Sequence, residues 1–249
     1  MTARLARIDR FPVKSIGGET LDRVALSVAQ PLPGDREWAV LHAAALSHLQ
    51  DGALTKWLPK AAFLRGAAAP DLQAIRGGWQ NGRLRLTHPR AEPLVFDPAT
   101  GGAQLLDWLA PFWPADKPAP AQLLRGPQAL TDVPQPYISV LSLDSLAALS
   151  QAGGRDFGTD RWRGNLWVRG WQPWAERGMM GQTLRIGPAR LRVVEPINRC
   201  AATHVDSRTG QPDTDMLALL AQVNGDRAFG IYAEVIQPGE IALEDEVAS

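Results

Sequence analysis

Residues 182–196 read QTLRIGPARLRVVEP, and their apolar and polar side chains alternate on both sides of a Gly-Pro step. A period of two places Leu184 and Ile186 on one face of a strand, where they can meet Leu191 of the next strand. Gly-Pro between two such runs is typical of a turn. The stretch therefore predicts a β-hairpin, and this hairpin leads directly towards the single cysteine of the chain.

Similar patterns continue on both sides of the hairpin. Alternating or continuous apolar residues predict strands at RLARIDRFPVKS (4–15), REWAVLHA (36–43), GRLRLTHP (82–89), PYISVLS (136–142) and FGIYAEVI (229–236). Helical spacing with caps predicts helices within SLDSLAALSQAGG (142–154) and PDTDMLALLAQVNG (212–225). Many short strands with few helices predict a mainly β, α+β fold built from barrel-like or sandwich units, and disfavour a doubly wound sheet.

Residues 110–127 contain five prolines and a glycine. Prolines in this density exclude regular structure, so the segment is interpreted as a joint between two units. The predicted organisation is an N-terminal domain at 1–112, a proline-rich joint at 113–127 and a second domain at 128–249.

The composition limits the classes of partner and compartment. With 249 residues and 45% hydrophobic side chains, the chain can bury a substantial core. Lys plus Arg and Asp plus Glu are equal at 26 each, so the formal net charge is zero. The chain therefore has no overall electrostatic attraction to nucleic acid or to an anionic membrane. One cysteine cannot form an internal disulfide, and the first residues lack a long apolar run. We therefore expect a cytoplasmic protein that binds neither nucleic acid nor membranes.

The lone cysteine, Cys200, allows four interpretations from the residues alone. It can be a buried small hydrophobe, or a zinc ligand with His204 and Asp206, although zinc prefers four ligands rich in sulfur and nitrogen. It can form a nucleophilic pair with His204, although such pairs are usually assembled from distant segments. It can also bind a soft metal whose other ligands come from a cofactor.

Several cationic and polar residues lie at the ends of predicted strands. Arginine guanidinium groups and serine hydroxyls bind phosphate through charge-assisted hydrogen bonds, and an arginine beside a cysteine lowers the cost of forming a thiolate. If these residues converge, they predict a local anion site in a chain of zero net charge. The set comprises Lys14, Ser15, Arg36, Arg163, Asn165 and Arg199.

The stretch PINRCAATHVDSRTG (196–210) resembles the cysteine motif of the molybdenum cofactor sulfurase C-terminal domain family, the MOSC family. FPVKSIGG (11–18) and GDREWAV (34–40) resemble the N-terminal β-barrel domain that accompanies MOSC in proteins of the amidoxime-reducing type. RWRGNLWVRG (161–170) and FGIYAEVIQPGEIALEDEV (229–247) are similar to other strands of that family. The resemblance covers nearly the whole chain and implies an N-terminal β-barrel-like domain followed by a MOSC β-barrel domain.

The resemblance also implies a cofactor and the residues that bind it. The cofactor is a mononuclear molybdenum centre on a pyranopterin, with chemistry independent of pyridoxal phosphate. Cys200 corresponds to the molybdenum ligand and catalytic residue. The implied cofactor-binding residues are Lys14, Ser15, Arg36, Asp132, Arg163, Asn165, Asn198, Arg199 and Cys200.

The activity implied by the resemblance is reduction of small N-hydroxylated compounds, such as amidoximes and hydroxylamines, by a molybdenum-dependent oxidoreductase. The sequence has neither cluster cysteines nor a Gly-x-Gly-x-x-Gly flavin fingerprint. We therefore expect a separate electron-transfer protein of ferredoxin, flavin or haem type. Two alternatives remain open: a carrier that holds the molybdenum cofactor or a persulfide sulfur on Cys200, and a family member with a structural cysteine and no cofactor.

Overall fold

The structure is a computed structural model that describes residues 2–249, so Met1 of the predicted N-terminal domain lies outside it. Strands predominate over helices, which confirms the mainly β prediction. The α-helices are α1 (Gly102–Leu109), α2 (Leu143–Ala152) and α3 (Met216–Asn224). The strands are β1 (Arg4–Arg10), β2 (Glu19–Leu21), β3 (Arg23–Leu26), β4 (Trp38–His42), β5 (Trp79–Gln80), β6 (Arg83–His88), β7 (Ala91–Phe96), β8 (Pro120–Arg125), β9 (Ile138–Ser142), β10 (Leu166–Arg169), β11 (Thr183–Ile186), β12 (Ala189–Asn198), β13 (Val205–Asp206), β14 (Gln211–Pro212), β15 (Ala228–Gln237), β16 (Gly239–Ala242) and β17 (Val247–Ala248).

The largest sheet has eight strands in the order β17-β11-β12-β15-β9-β10-β1-β2. Only β9 and β10 run parallel in it, and their connection carries α2. The order ends at β2 and β17, and backbone hydrogen bonds also connect β17 and the residues before it with β1 and the residue before it. Leu5 N donates to Asp245 O and Val247 N donates to Ala3 O, each at 2.9 Å. The first and last segments of the described chain therefore lie side by side.

The predicted hairpin forms β11 and β12, and Leu184 pairs with Leu191 as the alternation requires. Both side chains are fully buried, with Ile8 and Val140, in the core on one face of the large sheet. The opposite face is covered by α2 and α3, which pack against Trp167 and neighbouring aromatic residues. All five residues of β9 are therefore buried, including Ser139 and Ser142.

Both predicted helices have the side-chain caps that the sequence indicates. Ser142 Oγ accepts a hydrogen bond of 3.1 Å from Ser145 N at the start of α2. Asp215 caps α3 through Ala218 N at 3.0 Å, and Gly225 ends that helix with a left-handed φ of 81°. The longest described α-helix has 10 residues, and no described helix is long and apolar enough to cross a membrane.

The smaller sheets β4-β8 and β5-β6-β7 pack with α1 around one core, and the other face of β4-β8 packs on a second core without α1. The expectation that prolines exclude regular structure throughout 110–127 is wrong. Residues 120–125 form β8, because this edge strand pairs with β4 only and its first residue, Pro120, need not donate to a ladder. In addition, β1 and β2 join the large sheet of the C-terminal half, so the domain limits 1–112 and 128–249 stay a prediction.

Candidate functional site

A cavity of about 390 Å³ lies between segments from the two halves of the chain. Its size is within the range of ordinary ligand sites, which often occur where domains meet. The structure brings all nine sequence-predicted binding residues to its wall. They are Lys14, Ser15, Arg36, Asp132, Arg163, Asn165, Asn198, Arg199 and Cys200.

Cys200 follows β12 and precedes a short 3₁₀ helix, Ala201–His204. Its carbonyl oxygen accepts hydrogen bonds from Thr203 N at 3.0 Å and Thr203 Oγ1 at 2.9 Å, which fix the turn. The cysteine is exposed and lines the cavity. The interpretation of Cys200 as a buried hydrophobe is therefore wrong, and its thiol is accessible to a ligand.

The structure supports neither of the two interpretations that involve His204. His204 Nε2 lies 3.5 Å from Asp215 Oδ1, and the described residues contain no hydrogen bond between His204 and Cys200. Asp206 instead binds Arg208 at 2.8 Å. Within residues 2–249, no group of three His, Cys, Asp or Glu side chains is placed to hold a metal ion. A protein-only zinc site at Cys200 is thus excluded by geometry in the described chain.

Lys14 and Asp132 form an ion pair at the cavity wall. Lys14 Nζ donates to Asp132 Oδ1 at 2.7 Å and to Leu130 O at 2.9 Å, and the lysine is only 5% exposed. Burial lowers the pKa of Lys14, and Asp132 opposes that effect. Burial by itself raises the pKa of Asp132, but the charges of Lys14 and Lys60 hold it well below its ordinary value. Asp132 is therefore ionised at neutral pH.

Three arginines of the cavity wall, Arg65, Arg163 and Arg199, form no ion pair with a carboxylate of the described chain, and backbone carbonyls hold two of them. Arg163 donates to Gly17 O at 2.6 Å, and Arg199 donates to Phe229 O at 2.8 Å and to Trp162 O at 3.0 Å. Burial is the main cause that lowers the pKa of Arg163 to about 9 and that of Arg199 to about 10. Three guanidinium charges thus remain without a carboxylate partner in the described chain at the wall of one cavity.

Three of the predicted binding residues have a strained backbone. The φ angles are 69° at Ser15, 51° at Arg36 and 49° at Arg163, in the left-handed region that side chains rarely adopt. Arg36 ion-pairs with Asp35 and donates to Arg163 O at 2.8 Å, while the Phe11 ring lies under both guanidinium groups. Such strain costs about 1–3 kcal/mol per residue and tends to cluster at binding sites. The conformations direct these residues to the cavity.

Asn165 and Ser15 already have protein partners. Asn165 Oδ1 accepts from Ser139 Oγ at 2.7 Å, and Nδ2 donates to Asp9 O at 3.2 Å. Ser15 Oγ donates to Leu64 O at 2.8 Å. Because Asn165 ties β10 to β9 and β1, its amide holds the wall in place and retains only one free donor. Asn198, by contrast, is exposed beside Arg199.

Sequence reasoning missed several residues of the wall. Tyr137 and Tyr232 are the only tyrosines of the chain, and both line the cavity. A signal was present, because both tyrosines lie within predicted strands, at 136–142 and 229–236. Arg161 gave less signal, because its two hydrogen bonds to Asp213 depend on the tertiary fold. Other cavity residues that were not predicted include Lys60, Arg65, Gln73, Ser139, Trp162 and Glu195.

Comparison with known proteins gives two adjacent family matches. The MOSC N-terminal beta barrel domain matches residues 2–118, and the MOSC domain matches residues 127–248. The chain is 31% identical over 122 residues to the molybdenum cofactor sulfurase of Drosophila grimshawi, a match that covers 49% of this chain and 16% of that protein. The YUAD protein from Bacillus subtilis shares the fold, with a TM-score of 0.50 and 15% identity over 99% of this chain and 94% of that one. The chain belongs to the MOSC family, with a MOSC N-terminal beta barrel domain before its MOSC domain.

Proposed function

We propose that this chain is a molybdenum-cofactor-dependent reductase of small N-hydroxylated compounds. The observation that carries the proposal is the set of guanidinium groups without a carboxylate partner, among them the backbone-anchored Arg163 and Arg199, at the cavity that also exposes Cys200. A soft thiolate suits a molybdenum centre, and unpaired guanidinium groups suit an anion such as a phosphate. Membership of the MOSC family links the chain to molybdenum cofactor chemistry.

The donor set fits this cofactor better than it fits a bare metal ion. One thiol is too few for a protein-only site, but it suffices when a cofactor brings its own sulfur ligands. The proposed roles are metal ligation by Cys200 and binding of the pterin phosphate by Arg163 and Arg199. Lys14 contributes through Asp132, because their ion pair fixes part of the cavity wall.

The proposed reaction converts R–NH–OH, two electrons and two protons into R–NH₂ and water, and so breaks the N–O bond. The cofactor supplies the two-electron chemistry when it is bound. The protein residues hold the cofactor, orient the N–OH group towards Cys200 and limit the space around it. A cavity of about 390 Å³ shared with a cofactor leaves room only for a small substrate.

The electrons are proposed to come from a separate electron-transfer protein of ferredoxin, flavin or haem type. The 249 residues hold one cysteine, which cannot bind an iron–sulfur cluster of the four-cysteine type. Reduced nicotinamide alone should therefore not support turnover.

A carrier of molybdenum cofactor or of a persulfide sulfur is the second candidate. The exposed thiol of Cys200 favours it, because a transferable sulfur must be reachable by a partner. The partial match to a protein named a sulfurase is compatible with this candidate. The carrier holds its cargo without sustained turnover, and this difference separates the two proposals.

The test is substrate loss with benzamidoxime, using protein purified from a host that makes the cofactor. Four conditions are compared: reduced nicotinamide alone, dithionite-reduced viologen, viologen without protein, and viologen with the Cys200→Ala variant. The reductase proposal predicts many turnovers with viologen and wild-type protein only. No turnover by protein that demonstrably contains the cofactor would reject the reductase and favour the carrier.

A further inference from the structure

Three residues form a row across neighbouring strands on the wall of the cavity. Tyr232 on β15 pairs directly with Ser139 on β9 and with Glu195 on β12. Directly opposed residues of antiparallel strands extend from the same face, with their Cβ atoms about 4.5–5.5 Å apart. All three residues line the cavity. Glu195 and Tyr232 therefore present a carboxylate and a phenol side by side.

A register shift turns Glu195 towards this face. Along β12 the pairing passes from Val193–Ala233 to Glu195–Tyr232, so two steps on β12 match one step on β15. Val193 and Ala233 are both buried in the core. Without the shift, the period of two would place Glu195 on the same core face as Val193. The bulge therefore moves Glu195 from the core face to the cavity face.

Tyr137 completes an aromatic wall beside this row. The ring centroids of Tyr137 and Tyr232 are 5.8 Å apart, and both side chains are half-buried. Neither hydroxyl takes part in a hydrogen bond with the described residues, although both line the cavity. Burial raises the pKa of Tyr232, and the nearby Arg199 charge opposes that effect. The Tyr232 phenol thus stays protonated at neutral pH and can donate a hydrogen bond.

The charge of Glu195 is also unpaired within the described part of the chain. The other acidic residue of the lining, Asp132, already binds Lys14 at 2.7 Å and Lys60 at 3.4 Å. Glu195 is exposed and has no ion pair among residues 2–249. With an anionic group on Arg163 and Arg199, Glu195 remains as a carboxylate free to bind a cationic or N–H-bearing ligand.

We propose that Glu195, Tyr137 and Tyr232 form a specificity subsite for a planar amidine-type group, with the carboxylate accepting N–H donors and the rings packing against the plane. The inference deepens, and depends on, the proposed reductase function, because it selects amidoximes among N-hydroxylated substrates. An amidine carries two N–H-bearing nitrogens in one plane, which matches the two oxygens of a carboxylate. Cations also pack favourably on aromatic faces.

The subsite predicts that the product binds more tightly than the substrate. An amidoxime is neutral at pH 7, whereas the amidine formed from it is a cation, and only the cation gains the full charge interaction with Glu195. Glu195 therefore governs both the choice of substrate and inhibition by product. Hydroxylamines without an amidine group should use the subsite less.

The test measures ligand binding, so it is independent of turnover. Fluorine NMR titrations compare para-fluorobenzamidine with para-fluorobenzamide, a neutral probe of the same shape, on the full chain purified from a cofactor-making host. Wild type should prefer the amidine by up to about fivefold, since a partly exposed ion pair contributes up to about 1 kcal/mol. Glu195→Gln should remove this preference, and Tyr232→Leu should weaken both probes by about threefold.

Glu234→Gln is the matched control, because Glu234 lies on the same strand as Tyr232, pairs with Arg192 and is not part of the cavity. This variant should keep the wild-type preference. The subsite is rejected if Glu195→Gln keeps the preference, if Glu234→Gln loses it equally, or if wild type binds neither probe. If Glu195→Gln removes the preference for the amidine but no turnover occurs, the reductase is rejected and the subsite is kept. If turnover occurs but Glu195→Gln leaves binding unchanged, the reductase is kept and the subsite is rejected.

Discussion

Lys14 Nζ and Asp132 Oδ1 lie 2.7 Å apart, although 118 residues separate them in the chain. Lys14 belongs to the part matched by the N-terminal beta barrel domain, and Asp132 belongs to the part matched by the MOSC domain. The pair joins the two halves at the wall of the cavity. The site is therefore a product of both halves, and neither half alone contains its full set of cations.

Asp132→Asn should lower the free energy of unfolding by about 1 kcal/mol at pH 7. The variant leaves the buried Lys14 ammonium without its counter-charge, and the value is modest because Asp132 itself is partly exposed. The folded-state pKa of Asp132 is depressed, so its contribution is complete above the unfolded pKa of about 4 and declines as pH falls below it. Urea unfolding at pH 7 and pH 3 measures both effects.

Asp116→Asn is the control for this variant, because Asp116 is 71% exposed and pairs only with the adjacent Lys117. It should leave the urea midpoint unchanged. Equal midpoints for wild type and Asp132→Asn at pH 7 would show that the ion pair between the halves does not stabilise the fold.

Arg163→Gln should reduce cofactor occupancy at least about tenfold. A charge-assisted hydrogen bond contributes about 1.5–3 kcal/mol, which corresponds to one or two orders of magnitude in affinity. The measurement is pterin and molybdenum per chain after purification from a cofactor-making host. Asn165→Ala should have a smaller effect of the same sign, because most of its amide already binds protein.

Arg185→Gln is the matched control for Arg163, since Arg185 is about half-exposed, pairs with Glu246 and does not line the cavity. Because Arg163 also binds three backbone carbonyls, thermal unfolding of the cofactor-free variant is measured in parallel. Unchanged occupancy in a folded Arg163→Gln protein would place the anion elsewhere.

Glu176→Gln should stabilise the protein at pH 7. Glu176 is 1% exposed, and its only side-chain hydrogen bond among residues 2–249 comes from Ser145 Oγ at 2.9 Å. Burial raises its pKa above the ordinary 4.5, so the unfolded chain ionises first and stability is lost as pH rises through that value. The variant should therefore show a higher urea midpoint than wild type at pH 7 and a similar midpoint at pH 4. A lower midpoint for the variant at pH 7 would contradict this account.

The elements with regular patterns could be predicted from the sequence, and the cavity only in part. The Leu184–Leu191 hairpin follows from alternation, and the α2 cap at Ser142 follows from local chemistry. Strand β8 was missed, because pairing with β4 overrides the local effect of its prolines. Glu195 was missed because a bulge reverses its face, and a register shift depends on the partner strand.

The family resemblance assigned the predicted site residues to one place, and most of them are charged residues at the ends of strands. The structure brings them to the wall of one cavity. Their detailed contacts were not accessible from sequence. That Arg163 lacks a carboxylate partner while Arg161, two residues earlier, binds Asp213 at 2.6 Å depends on tertiary packing alone. The difference between a paired and an unpaired arginine is nevertheless what distinguishes the anion site.

The molybdenum content of Cys200→Ser tests the central claim most directly. Wild-type protein and the variant are purified from the same cofactor-making host, and molybdenum, zinc and pterin are measured per folded chain. The account predicts roughly one molybdenum per wild-type chain and a loss of at least about tenfold in the variant, because serine offers no soft sulfur ligand. Molybdenum retained by Cys200→Ser at the wild-type level, or wild-type protein that carries zinc and no pterin, would contradict it.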